Sequence, residues 1–257
     1  MGSRLPSVPC GSFLTSSLPP LSSSSSTSTT IIEIECFLDL VCPFSAKMFR
    51  TLYDEIVPAI NNHNSHAASD GLLGMDANND DDDDGDDTPT TKKLITIKLH
   101  HVIQPWHPQS TMVHEAALAV KRVVPGLYLT FIRNVYKKFM TQHLFTDHDT
   151  WNKTRLDIYD DLLRECLPSS DWIDDEQRQQ VQQLLYPPRT TTGRPPRSGT
   201  ATFNSGNAIT AELKFACRYH RQRGVHVTPT VFANGIEASE VSSGWKADDW
   251  NEFFKQF

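Results

Sequence analysis

The stretch "FLDLVCPFSAKMF", residues 37–49, decides how the rest of the chain is read. An apolar run stops at Asp39, a cysteine follows at Cys42, and Pro43 opens an amphipathic segment. Upstream, residues 31–39 ("IIEIECFLD") are short, apolar and partly β-branched, which predicts a strand. Downstream, Phe44, Met48, Leu52, Ile56 and Ile60 recur at four-residue spacing, which predicts a helix over 42–62. Cys42 thus stands at a strand-to-helix junction. The free N–H groups and the dipole of a helix N-terminus favour an anion, so a thiolate there is expected to form more readily than at the free value of about 8.5. Pro43 suits the first helical turn, where its missing N–H costs nothing. A dithiol site would carry a second cysteine at position 45, and that residue is Ser45.

The other cysteines carry weaker signals. Cys36, Cys166 and Cys217 lie in apolar periodic segments and read as buried structural residues, while Cys10 lies in a Ser/Pro-rich tail. Five widely spaced cysteines without a C-x-x-C pair fit a reducing compartment rather than a disulfide framework. The expected location is intracellular, with the cytoplasm favoured, and the tail leaves organelle targeting open. No apolar run approaches the roughly 20 residues that span a bilayer, so no membrane partner is expected. The net charge is −7, but seven aspartates lie between Asp80 and Asp87. The remainder is near neutral, which gives no reason to expect nucleic acid.

Composition divides the chain. Residues 1–30 read as a disordered tail and 31–257 as one domain. Within it, 64–92 is expected to be an acidic disordered loop. Asp80, Asp82, Asp84 and Gly85 imitate half of a calcium loop, but Thr91 stands where its glutamate belongs, so a solvated loop is expected and no metal. "KLITIKLHHVI" (93–103) alternates cleanly and predicts a second strand, after which "QPWHPQS" breaks the pattern with two prolines.

Helical patterns follow through Met112–Val123, Tyr128–Phe139 and Leu156–Cys166, with a weaker one from Trp172 to Leu185. A Pro/Gly/Arg loop separates these from a helix marked by Ile209, Leu213, Ala216 and Cys217, ending near Gly224. "VHVTPTVFANGIEA" (225–238) then reads as a hairpin around Asn234-Gly235, and Trp250, Phe253, Phe254 and Phe257 mark a closing helix. This order predicts an α/β fold with a central mixed sheet flanked by helices. In "VTPT" a proline opens a strand, a place where a cis peptide is plausible and where Thr228 could present its backbone to an extended partner.

The ordered elements "FLDLVCPFS", a helical insertion and "VTPTVFANG" resemble the DsbA-like branch of the thioredoxin superfamily over most of 31–257. The resemblance implies a thioredoxin-like fold with an inserted all-helical subdomain over 106–203. It implies a nucleophile at Cys42 and a cis-proline at Pro229 facing it. Redox members of the family carry a second cysteine where Ser45 stands, which attacks the mixed disulfide. Serine cannot, so the resemblance implies a monothiol oxidoreductase using Cys42. Glutathione, as co-substrate, or a protein thiol would resolve the adduct.

Monothiol glutaredoxins have a similar C-x-F-S site, and some bind an iron–sulfur cluster, but they lack a large insertion. Kappa-type glutathione transferases and chromene-carboxylate isomerases share the inserted architecture with serine in place of Cys42. Two alternatives therefore stand beside the redox reading: a non-catalytic binding module, and a glutathione transferase or isomerase. "HHVIQPWHPQS" supplies Trp106 and His107 as candidate substrate-binding residues. His100, His101 and His114 read as a polar, partly buried set, one of which could help ionise Cys42. Asp39 reads as a helix cap. Asn152-Lys-Thr154 is a glycosylation sequon of no consequence inside a cell.

Overall fold

The computed structural model describes residues 12–13, 29–61, 92–168, 172–186 and 206–257. The expected acidic loop before Lys92, the C-terminal end of the insertion near Phe203, Cys10 and most of the tail lie outside them.

Among the described residues five strands form one mixed sheet in the order β1-β3-β2-β4-β5. They are β1 (Ser12–Phe13), β2 (Thr29–Leu38), β3 (Lys92–His101), β4 (Thr230–Ala233) and β5 (Ile236–Glu237). β2 pairs parallel to β3 and antiparallel to β4. Ser12 and Phe13 pair with Leu99 and Lys98, so the tail, expected to be unstructured, contributes a short edge strand. The Asn234-Gly235 turn is left-handed at both residues (φ 49° and 83°), the geometry a two-residue hairpin with right-handed strand twist requires.

The central strand β2 is buried on both faces. Ile32, Ile34, Cys36 and Leu38 enter the main core with Met48, Phe49 and Leu52. Phe37 enters a smaller cluster with Val102, Val225 and Phe232 on the other face. α1 (Pro43–Thr51) runs directly into a π-helical turn at Leu52–Ile56. Between β3 and the last helix before the hairpin lie α2 (Ser110–Val123), α3 (Tyr128–Gln142), the short α4 (Asp147–Thr150), α5 (Arg155–Cys166) and α6 (Asp175–Leu185). This is the expected helical insertion. Capping boxes at Thr154/Asp157 and Asp174/Gln177 fix where α5 and α6 begin. α7 (Thr210–Gln222) returns to pack on β3, and α8 (Ala247–Lys255) closes the chain under the π-helical turn.

α2 is the central helix of the insertion, packed by α3, α5, α6 and α7. Its apolar stripe was expected to be one face only. Instead Val113, His114, Glu115 and Ala117 are buried as well as Ala116, Ala119 and Val120, because small alanines let neighbours close in from several sides. Leu156, read as an apolar-face residue, is exposed, and so is Trp172, where the weaker pattern begins.

A buried polar cluster lies on the α7 face of the sheet. Glu35 receives the Tyr219 hydroxyl at 2.8 Å and pairs with Arg223 Nη1 at 2.9 Å and His100 Nε2 at 3.0 Å. Burial alone would raise its pKa. The close approach of His100, the hydrogen bond from Tyr219 and the charge of Arg223 outweigh that and hold it at about 2 instead of 4.5. A depressed carboxyl stabilises the fold fully above its unfolded value and loses that contribution as pH falls through the folded one. The change from 4.5 to about 2 corresponds to roughly 3 kcal/mol. Urea midpoints are therefore expected to drop as pH falls from 4.5 toward 2, and Glu35→Gln should flatten that part of the profile.

Candidate active site

Cys42 is the N-cap residue of α1, with extended backbone (φ −90°, ψ 124°) and Pro43 in the first helical turn. Among the described residues no side chain caps this end, which leaves the first-turn N–H groups open beside the cysteine. The expectation that Asp39 caps the helix is overturned. Its carboxylate instead serves the turn that leads into the helix.

In that turn, residues 39–42, each backbone donor has an acceptor atom within reach. Asp39 N donates to Ser45 Oγ (3.3 Å), Val41 N to Asp39 Oδ1 (3.1 Å) and Cys42 N to Asp39 O (3.1 Å), and Leu40 N lies 3.2 Å from His114 Nε2, which accepts it when that nitrogen carries no proton. The Tyr136 hydroxyl also donates to Asp39 O at 3.1 Å. The carboxylate of Asp39 is 0% exposed. It accepts from Ser110 Oγ (2.8 Å) and Gln104 N (3.1 Å), and His114 Nε2 lies 3.3 Å away. Burial pushes Asp39 up, but hydrogen bonds from His114, Val41 and Ser110 and the His114 charge win, and its pKa is lowered from 3.8.

The thiol faces the hairpin. Cys42 Sγ donates to Thr228 O at 3.5 Å, and the Thr228–Pro229 peptide is cis. Among the described residues nothing accepts the Thr228 N–H, and Thr228 and Pro229 are half-buried. Cys42 itself is 6% exposed. Phe44, Trp106 and Val227 are 54%, 58% and 62% exposed. Chain connectivity ties all three to the thiol. Phe44 is two residues after it, and Val227 precedes Thr228. Trp106 follows the Gln104 that binds Asp39 and reaches His226 O at 3.5 Å.

The structure thus brings together Cys42, Pro43, Ser45, Thr228 and Pro229, with Trp106 two residues along from Gln104. His107 behaves differently, since its Nδ1 turns to Asp147 at 3.5 Å in the insertion. Ser45 is 0% exposed and tied to the backbone, so its hydroxyl is built into the turn. Cys36 and Cys166 are buried, and burial pushes both thiols up to about 12. Cys217, also read as buried, is half-exposed on α7.

Sequence reasoning missed the depth of the histidines. His101 and His114 are buried and face each other across Nδ1 atoms 2.5 Å apart, with Tyr128 Oη 2.6 Å from His101 Nε2. The signal that points to them is Ser110 and His114, four apart on one helix and both reaching Asp39. Among the described residues no group of three or more His, Cys, Asp or Glu side chains is arranged to hold a metal ion. No helix among them is long and apolar enough to cross a membrane.

Neither protein-family models nor curated protein sequences match the chain. Solved structures do. One is a Pseudomonas syringae protein provisionally described as a protein-disulfide isomerase, with TM-score 0.55 and 19% identity over 86% of this chain and 92% of that one. Another is MdbA, a thiol-disulfide oxidoreductase from Actinomyces oris, with TM-score 0.51 and 14% identity over 88% and 81%. The chain shares the fold of these two structures, a thioredoxin-like core with an inserted helical subdomain.

Proposed function

We propose that this protein is a monothiol thiol–disulfide exchange enzyme in which Cys42 attacks and an external thiol resolves. One observation carries the reading: a cysteine at an uncapped helix N-terminus, its Sγ 3.5 Å from the carbonyl that precedes Pro229, with serine where a resolving thiol would stand. The fold it shares with a thiol-disulfide oxidoreductase supports it.

In the first step the Cys42 thiolate attacks one sulfur of a partner disulfide, RS–SR′. A Cys42–S–S–R bond forms and R′S⁻ leaves, taking a proton from solvent. In the second step a thiolate from solution, glutathione or a protein thiol, attacks the mixed disulfide. It leaves as a new disulfide with R, and Cys42 is regenerated with no net redox change in the protein. A partner would lie extended along residues 227–229, offering a carbonyl to the Thr228 N–H in the manner of an added strand. Phe44, Trp106 and Val227 would take its apolar side chains. Four unpaired cysteines among the described residues suit a reducing compartment.

The test is turnover of a glutathionylated peptide with apolar flanking residues, driven by reduced glutathione. The reading requires ping-pong kinetics and release of oxidised glutathione. No rate above the uncatalysed exchange would contradict it. Ser45→Cys is a second test. The thiol it introduces should form a disulfide with Cys42 on oxidation, seen as loss of two free thiols in the oxidised variant.

A further inference from the structure

A line of buried polar side chains runs from α3 to the cysteine-bearing turn: Tyr128, His101, His114 and Asp39. The two imidazoles meet through their Nδ1 atoms at 2.5 Å, so one nitrogen must hold the proton and the other accept it. That fixes the rest of the line. If His101 holds the shared proton, its Nε2 accepts the Tyr128 O–H, and His114 Nε2–H donates to Asp39 Oδ1. If His114 holds it, His101 Nε2–H donates to the Tyr128 oxygen, and His114 Nε2 is bare and accepts the Leu40 N–H. Both outer arrangements lie within reach, since His114 Nε2 is 3.3 Å from Asp39 Oδ1 and 3.2 Å from Leu40 N.

We propose that Tyr128, His101 and His114 form a hydrogen-bonded line with two tautomeric arrangements, each imidazole keeping one proton and Tyr128 its hydroxyl in both, which interconvert by giving the His114 Nε2 proton to solvent and taking one from solvent at His101 Nε2. The arrangement adopted sets the hydrogen bonding of the turn presenting Cys42, making the three positioning residues for that thiol. The inference rests on the exchange reading only in giving the positioning a purpose. Reversing the line exchanges a donor to Asp39 for an acceptor of Leu40 N–H, two residues before the cysteine. The groups around it come from several elements: Lys121 beside Tyr128, His100 next to His101 on β3, His220 on α7, and Tyr136 and Asp39 at the turn. Burial above all, with the Lys121 charge beside it, holds His101 well below the usual imidazole range, which suits a neutral member of such a line.

Tyr128→Phe removes only the far hydroxyl and leaves the ring volume in place. Nitrogen and amide NMR on the reduced full chain should show the protonated nitrogen of the His101/His114 pair change and the Leu40 amide shift. The pH profile of Cys42 alkylation by iodoacetamide should move by at least about half a pH unit. His114→Asn, which can mimic one ring nitrogen, is the second variant, and it should abolish the response to Tyr128→Phe. Unchanged imidazole tautomers and an unchanged Leu40 amide in folded Tyr128→Phe would overturn the proposal, as would an alkylation profile that does not move. None of these readouts needs turnover. A tautomer switch that responds in a protein without exchange activity would sink the proposed function alone.

Discussion

Replacing Cys42 with serine is expected to remove exchange activity, a loss of roughly a thousandfold or more that takes turnover to the uncatalysed background. The hydroxyl is close to the thiol in shape and slightly smaller, so the fold and its melting temperature should change little. Serine is a poor nucleophile toward disulfide sulfur at neutral pH. The same variant separates the readings opened by the sequence. A binding module would keep its partner affinity in Cys42→Ser and would show no turnover to lose. A glutathione transferase would still bind glutathione saturably and conjugate an electrophile. Turnover of a mixed disulfide, measured for both proteins under identical conditions, decides between them.

The second large effect is at Asp39. Asp39→Ala should destabilise the protein by roughly 3–5 kcal/mol, because it leaves buried donors at Val41, Gln104 and Ser110 without their acceptor. Asp39→Asn keeps one acceptor oxygen and should cost less. Its amide would point donors at donors, however, and the turn carrying Cys42 should loosen, seen as faster amide exchange at Leu40 and Val41. The pH sign follows from the lowered carboxyl. Its contribution is present above 3.8 and is lost as pH falls below that value. Urea denaturation of Asp39→Ala at neutral pH measures the effect, and a loss under about 1 kcal/mol would contradict a carboxylate bearing this much of the turn.

Much of this was legible in residues 31–62 and 225–238. The end of the apolar run at Asp39 and the four-residue spacing from Phe44 locate the strand–helix junction. Asn234-Gly235 locates the hairpin. Both signals are local: they depend on side-chain period and on backbone conformations that few residues adopt. The polar interior was not legible, because it is assembled from residues far apart in sequence. Asp39, His101, His114 and Tyr128 sit on a turn, a strand and two helices, and no spacing links them. His114 also lies off the stripe read as the apolar face of α2, a face that widened once helices packed around it. The same holds for Glu35, a charge in an apolar strand whose partners Tyr219 and Arg223 come from near the end of α7. Ser45 could be read as a missing thiol, but its burial and its bond to Asp39 N needed the folded turn.

The measurement to make first is a time course of reduced protein with oxidised glutathione near neutral pH, with adducts mapped by mass spectrometry. Fast, selective and thiol-reversible glutathionylation of Cys42, ahead of Cys10 and of the half-exposed Cys217, is the expected result. Modification of Cys42 no faster than Cys10 would contradict a catalytic thiol at this site.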